Sequence, residues 1–87
     1  MFYVYLLKSP KTEQIYIGFT EDLKRRFGEH QKLQRHTGWM LIYYEAYRDR
    51  EDAAERERKL KSYGSSLQKL NVRLSRSLVL QDLEWAG

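Results

Sequence analysis

The sequence predicts an α/β fold of the α+β kind, with a three-stranded, mostly antiparallel sheet flanked by about three helices in the order β-β-α-β-α-α. Two runs rich in aromatic and branched residues lie either side of a turn segment, and a third such run follows further on. The other long stretches have helical spacing and residues typical of helix ends. Because the chain has 87 residues, it is too short for a second core, and we expect one domain over residues 1–87.

The predicted strands span Phe2 to Lys8, Gln14 to Phe19 and Trp39 to Tyr47. The segment SPKTE between the first two contains Pro10, which favours a turn and hence an antiparallel hairpin.

Alternation along the hairpin separates an aliphatic face from an aromatic one. Val4 and Leu6 share one face of the first strand, and Ile17 lies on the corresponding face of the second. If this aliphatic face points to the core, Tyr5 and Tyr16 stand side by side on the other. Such a pair is either simple cross-strand packing or part of a functional site.

The first helix is predicted to begin after an N-cap at Thr20 and to run to about Gln34. Phe27 and His30 fall on its apolar stripe, with Arg26 at the edge of that stripe. An arginine in this position usually extends its charged end into solvent, so its significance depends on what else lies nearby.

The second helix is predicted to begin after Asp49 and to end at Gly64. Glu57 lies on its inward stripe between Ala53 and Leu60. A glutamate in such a place needs a positive partner, which is either an arginine or a metal ion.

A third helix is predicted to begin near Ser66, with Lys69 and Arg73 on a basic side. Such a side fits a phosphate backbone or a membrane surface, although a helix of this kind more often just closes the core.

Composition excludes several classes of protein. The chain has no cysteine, so it has neither disulfides nor thiolate chemistry. Its formal charge is +4, which weakly favours a polyanionic partner. No apolar run approaches the ~18 residues that cross a membrane, so we expect no membrane partner. The first residues, MFYVYLLKS, lack the charged leader of a signal peptide, and we expect a cytoplasmic location.

Four segments together resemble the GIY-YIG nuclease superfamily. YVY at residues 3–5 and YIG at residues 16–18 stand where the two family triplets belong, and FTEDLKRRFGEH is similar to the stretch that carries the family's arginine and histidine. DAAERERKLK is similar to the segment with the metal-binding glutamate. IYYEAY and KSYGSSLQKLNVRL look most like the small stand-alone bacterial members. The resemblance covers roughly residues 2–75, and it departs from the family in having Tyr3 in place of the first triplet's glycine.

The resemblance implies a metal-dependent endonuclease that hydrolyses phosphodiester bonds. Its nucleic acid would be DNA rather than RNA, and its cleavage would be structure-directed rather than sequence-specific. A protein partner in a repair or restriction assembly is also implied. Glu57 would bind Mg²⁺ or Mn²⁺, and Arg26 would hold the scissile phosphate. The implied catalytic residues are Tyr5, Tyr16, Arg26, His30 and Glu57, and those for contacts with nucleic acid are Gly18, Lys24, Arg25, Lys69 and Arg73. The alternatives are a non-catalytic nucleic-acid-binding module and a protein-interaction module on the same fold.

Overall fold

The computed structural model describes residues 1–62 and 64–74, and it confirms the predicted order of elements. The strands and helices are β1 (Phe2–Lys8), β2 (Ile15–Thr20), α1 (Leu23–Lys32), β3 (Met40–Tyr47), α2 (Arg50–Ser62) and α3 (Gly64–Arg73). None of the helices in these two ranges has the length and apolar character needed to cross a membrane.

The sheet has the order β2-β1-β3, and β1 pairs antiparallel with both neighbours. Tyr5 at the centre of β1 lies opposite Gly18 of β2 and Tyr44 of β3. An irregularity in the pairing between β1 and β3, at Leu6 and Leu7, shifts the register there. One buried tyrosine therefore has a glycine on one side and a second tyrosine on the other.

The two faces of the sheet are covered by different helices. The aliphatic face packs against α2 and α3, and its core cluster consists of Val4, Leu6, Ile17, Ala53, Leu60 and Leu70. The aromatic face meets α1, whose His30 contacts the rings of Tyr5 and Tyr16. This arrangement confirms that Val4, Leu6 and Ile17 point into the core while the two tyrosines stand together on the other face, with ring centroids 6.2 Å apart.

The predicted beginning of α1 was wrong. The N-cap is Asp22, whose side chain accepts a hydrogen bond of 3.0 Å from the backbone N–H of Arg25. Thr20 is instead the last residue of β2, and its hydroxyl accepts from the N–H of Asp22. Asp22, two residues after Thr20, is the cap because Thr20 is held in the strand by its pairing with Tyr3.

Other boundaries differ by one or two residues. The helix α1 ends at Lys32 rather than Gln34, and β3 begins at Met40 rather than Trp39. Gly64 is the first residue of α3 rather than a stop between helices. Asp49 does cap α2, since its carboxylate accepts from the backbone N–H groups of residues 51 and 52 at 2.8 and 3.2 Å.

A charged network joins β3 to α2. The guanidinium of Arg56 donates to both carboxylate oxygens of Glu45 at 3.0 to 3.2 Å, and Tyr43 and Tyr47 donate their hydroxyls to the same carboxylate. Burial raises the pKa of Glu45, but the hydrogen bonds outweigh it and the net pKa is lowered. This arginine of α2 thus pairs with Glu45 on the preceding strand, whereas within the described ranges the ion-pair partner of Glu57 is Lys61 and not an arginine.

Candidate active site

A buried hydrogen bond between Tyr5 and His30 lies at the centre of the candidate site. The Tyr5 hydroxyl is 2.7 Å from Nε2 of His30. Tyr5 is 1% exposed and His30 is 0% exposed, so solvent hardly touches either ring. Burial raises the pKa of Tyr5 to about 12, with Tyr16 adding to the rise while Arg26 opposes it. Burial, aided by the charge of Arg26, lowers the pKa of His30 to about 4, so this imidazole is neutral at pH 7.

A second histidine extends this contact. Nδ1 of His36 lies 3.0 Å from Nδ1 of His30, and burial lowers the pKa of His36 as well. A neutral imidazole has one donor and one acceptor nitrogen. When Tyr5 donates to Nε2 of His30, the ring proton of His30 is on Nδ1 and donates to His36. The three side chains then form one continuous hydrogen-bonded chain.

Tyr16 and Trp39 hold the two imidazoles in place. The ring of Tyr16 packs against both His30 and His36 with centroids 4.8 Å away, and the ring of Trp39 meets His36 edge to face at 4.9 Å. These contacts fix the ring orientations on which the hydrogen bonds depend.

Sequence reasoning did not identify His36, although the chain has only two histidines. They are six residues apart, and His36 lies in the loop between α1 and β3, where no regular period assigns a side chain to a face. The signal that could have found it is the His-x-x-Trp spacing of His36 and Trp39, next to a helix that already carries a candidate histidine.

Gly18 is explained by the ring of Tyr5. A Cβ atom built on Gly18 would be 2.2 Å from Cζ and 2.3 Å from the hydroxyl oxygen of Tyr5. Since β1 and β2 pair at these two residues, the end of the Tyr5 ring lies directly against the glycine backbone. The glycine of the YIG triplet therefore makes room for the tyrosine of YVY on its way to His30.

Arg26 lies beside the two tyrosines with part of its charge accessible. Its guanidinium donates to Glu29 at 3.1 Å, and its side chain is 36% exposed. Glu29 makes the largest contribution to raising the pKa of Arg26, and the hydroxyls of Tyr5 and Tyr16 contribute in the same direction. A permanent cation thus faces both phenols and can also meet a ligand from solvent.

Four of the predicted catalytic residues, Tyr5, Tyr16, Arg26 and His30, are therefore brought together. Glu57 lies on α2, between the buried Ala53 and Leu60, and its side chain is 23% exposed. Within residues 1–62 and 64–74, its ion-pair partner is Lys61, at 3.2 Å, and the described contacts do not join it to the tyrosine–histidine cluster.

The chemistry of Glu57 fits a divalent cation held largely by water. The described part of the chain contains no group of three or more His, Asp or Glu side chains placed to hold a metal ion. A single carboxylate completed by water and substrate oxygens is a normal shell for Mg²⁺. The Lys61 ammonium group is itself about half exposed, so a cation can replace it at the Glu57 carboxylate without leaving a buried charge.

The basic residues predicted for nucleic-acid contact lie in two places. Lys24 and Arg25 are exposed on α1, on the aromatic side of the sheet. Lys69 and Arg73 are on α3, where they line a shallow depression together with Arg56. Leu70 of that helix packs into the aliphatic core, so α1 and α3 lie on opposite sides of the sheet.

Comparison with known proteins gives one finding. The family model described as the GIY-YIG catalytic domain matches residues 1–71, which include the whole tyrosine–histidine cluster and α2. Neither the curated proteins nor the solved structures contain a match. The chain therefore belongs to the GIY-YIG family of catalytic domains, whose members are nucleases that in general depend on a divalent metal, and this membership implies hydrolysis of phosphodiester bonds in a nucleic acid.

Proposed function

We propose that this protein is an endonuclease that depends on Mg²⁺ or Mn²⁺ and cleaves DNA according to the structure of the substrate rather than its sequence. The observation that carries this proposal is the Tyr5–His30–His36 chain beside a partly exposed arginine. The small size of the domain supports structure-directed cleavage, because 87 residues leave little surface for reading bases in addition to the catalytic site. We further propose that it acts in the cytoplasm, in a DNA repair or restriction assembly.

Arg26 would hold the scissile phosphate. Its planar guanidinium can bind two phosphate oxygens at once, and it is always charged near neutral pH. The Glu29 carboxylate that now accepts from it is also partly exposed, so a phosphate can take its place from the solvent side. Because Arg26 also interacts with the Tyr5 and Tyr16 hydroxyls, a phosphate bound there comes next to both phenols.

The Tyr5–His30–His36 hydrogen-bonded chain can accept the proton of the Tyr5 hydroxyl. The hydroxyl proton moves to Nε2 of His30 while the Nδ1 proton of His30 moves to Nδ1 of His36. His30 remains neutral, and the Tyr5 phenolate then takes a proton from the attacking water. The net result is one proton transferred from water to His36, which is partly exposed and can release it to solvent. Because burial raises the pKa of Tyr5 to about 12, its phenol does not ionise by itself near neutral pH.

Glu57 would hold the divalent ion, which when bound would stabilise the oxygen that leaves phosphorus. Tyr16 would keep the two imidazoles oriented and would contribute its hydroxyl to the surroundings of the bound phosphate.

One observation favours a second candidate function, a nucleic-acid-binding module without catalysis. Glu57 already has a cationic partner in Lys61, so its partly buried position is explained without any metal. A binding module would retain nucleic acid in the presence of a chelator and would not turn it over when metal is added.

A cleavage assay distinguishes the nuclease from the binding module. It uses single-stranded, duplex and branched DNA and RNA, in Mg²⁺, Mn²⁺ or chelator. Glu57→Ala is compared with Glu55→Ala, which removes an equivalent but more exposed partner of an i,i+4 lysine pair on the same helix. We expect Glu57→Ala to abolish metal-dependent cleavage and Glu55→Ala to retain it, with both variants folded by circular dichroism. Full activity of Glu57→Ala would contradict the assignment of Glu57 as the metal ligand. Metal-independent binding without cleavage would favour the binding module.

A further inference from the structure

A groove with a cavity volume of about 500 Å³ lies on the aromatic side of the sheet, between α1 and β3. Its floor and walls are mainly apolar and include Tyr3, Tyr44, Leu41 and Phe27. This volume is within the range of sites that take small organic molecules. None of the roles proposed above uses these residues.

One wall of the groove is an exposed aromatic ring. Tyr44 is 53% exposed, which is unusual for a large side chain at the middle of a sheet strand. Tyr3 meets it edge to face, with ring centroids 6.0 Å apart and planes at 67°. Tyr3 stands where the GIY-YIG triplet has a glycine. The edge-to-face contact with Tyr44 therefore depends on a residue in which this chain departs from the family triplet. The contact holds the Tyr44 ring in one orientation while a face stays open for a planar partner.

The groove lies next to the candidate active site, although none of Tyr5, Arg26 and His30 lines it. Tyr44 is the register partner of Tyr5, and these two residues are on neighbouring strands. Neighbouring strands are about 4.8 Å apart, so the groove begins one strand spacing from the tyrosine that bonds His30. A substrate whose phosphate lies at Arg26 can therefore extend an adjacent nucleotide over β3.

The charges at the groove indicate which part of a nucleotide it fits. Glu21 and Asp22 line it together with Lys24. Asp22 also pairs with Arg25 at 3.8 Å. The Glu21 carboxylate disfavours a phosphate there, whereas it can accept a hydrogen bond from the exocyclic amino group of a base. The base itself is uncharged and can stack on an aromatic ring. A paired base is enclosed by its own duplex, so the ring face in the groove is available to an unpaired base only.

We propose that this groove binds one unpaired nucleobase, preferably one with an amino group, next to the scissile phosphate. The groove would direct the enzyme to flaps, branches and single strands by stacking that base on Tyr44. This inference rests on the proposed nuclease function, since it takes the position of the phosphate from the candidate active site.

The test measures binding by fluorescence anisotropy in chelator, where no cleavage can occur. The probes are a blunt DNA duplex, the same duplex with a short deoxyadenosine flap, and the same flap built from abasic nucleotides. We expect tighter binding of the deoxyadenosine flap than of the abasic one. Tyr44→Leu should weaken binding of the deoxyadenosine flap by about 5- to 150-fold, which corresponds to roughly 1–3 kcal/mol for one stacked base. Tyr44→Phe keeps the ring and should bind like the unaltered protein.

The proposal is overturned if the unaltered protein binds the two flaps equally, or if Tyr44→Leu weakens both equally or leaves both unchanged. Failure of the groove and failure of the nuclease function remain distinguishable. Tyr44-dependent binding without any cleavage in Mg²⁺ or Mn²⁺ would support base binding in the groove and contradict the nuclease function. Metal-dependent cleavage that is lost in Glu57→Ala, with no effect of Tyr44→Leu on flap binding, would support the nuclease function and contradict base binding in the groove.

Discussion

Gly18→Ala tests the placement of Tyr5 directly. The added Cβ would be 2.2 Å from Cζ of Tyr5, whereas ordinary contacts begin at 3.4 Å, so the end of the ring must retreat by about 1.2 Å. Tyr5 is 1% exposed, so its ring cannot swing out into solvent without displacing packed neighbours. A shift of that size would lengthen the 2.7 Å bond to His30 beyond hydrogen-bonding distance.

The loss of stability expected in Gly18→Ala has two sources, the overpacked core and the lost hydrogen bond. Overpacking a core usually costs about 1–3 kcal/mol, and leaving the buried Nε2 of His30 without its partner costs a comparable amount. We expect Gly18→Ala to lower the free energy of unfolding by roughly 2–6 kcal/mol, which lowers Tm by at least about 8 °C in a domain of this size. Because the phenol moves by about 1 Å, we expect cleavage of the best substrate to fall about 100-fold even below the new Tm.

Gly28→Ala is the matched control. Gly28 is in the interior of α1, and a Cβ there has no atom within 4 Å. The same substitution should therefore raise the unfolding free energy by about 0.8–1 kcal/mol through helix propensity alone, and activity should remain. The assays are thermal unfolding by circular dichroism and cleavage at one temperature below both midpoints. A Gly18→Ala protein with the stability and activity of the unaltered protein would refute the contact between Gly18 and Tyr5.

Two further predictions concern the proton relay and the Glu45 network. His36→Asn should slow cleavage about 10²- to 10⁴-fold at neutral pH and change the pH–rate profile, because the relay loses its terminal acceptor; an unaltered profile would exclude His36 from the relay. Arg56→Met should lower the unfolding free energy at pH 7 by about 1.5–3 kcal/mol, because the Glu45 carboxylate loses its charged donors. Since the folded pKa of Glu45 is lowered, its contribution is complete above about pH 4.3 and disappears as the pH falls through the folded pKa. Urea denaturation should show the two proteins converging in acid, and an undiminished difference at low pH would contradict the role of this carboxylate.

Local patterns predicted most of the fold because strand and helix periods are properties of neighbouring residues. The alternation in β1 placed Val4 and Leu6 in the core and Tyr5 on the other face, as the structure confirms. Helical spacing likewise put Glu57 between the buried Ala53 and Leu60. The N-cap of α1 escaped this reasoning because Thr20 and Asp22 are both good caps, and pairing of β2 with β1 decided between them.

The sequence by itself determined which residue types are available and on which face of an element each one lies. Only the tertiary structure decided the contacts between elements: the loop that brings His36 to His30, the register that sets Gly18 and Tyr44 on either side of Tyr5, and the choice of Glu45 as the partner of Arg56. The physical reason is that periodicity acts over a few residues along the chain. Strand register and loop path depend on pairing and packing between segments distant in sequence, which no single segment encodes.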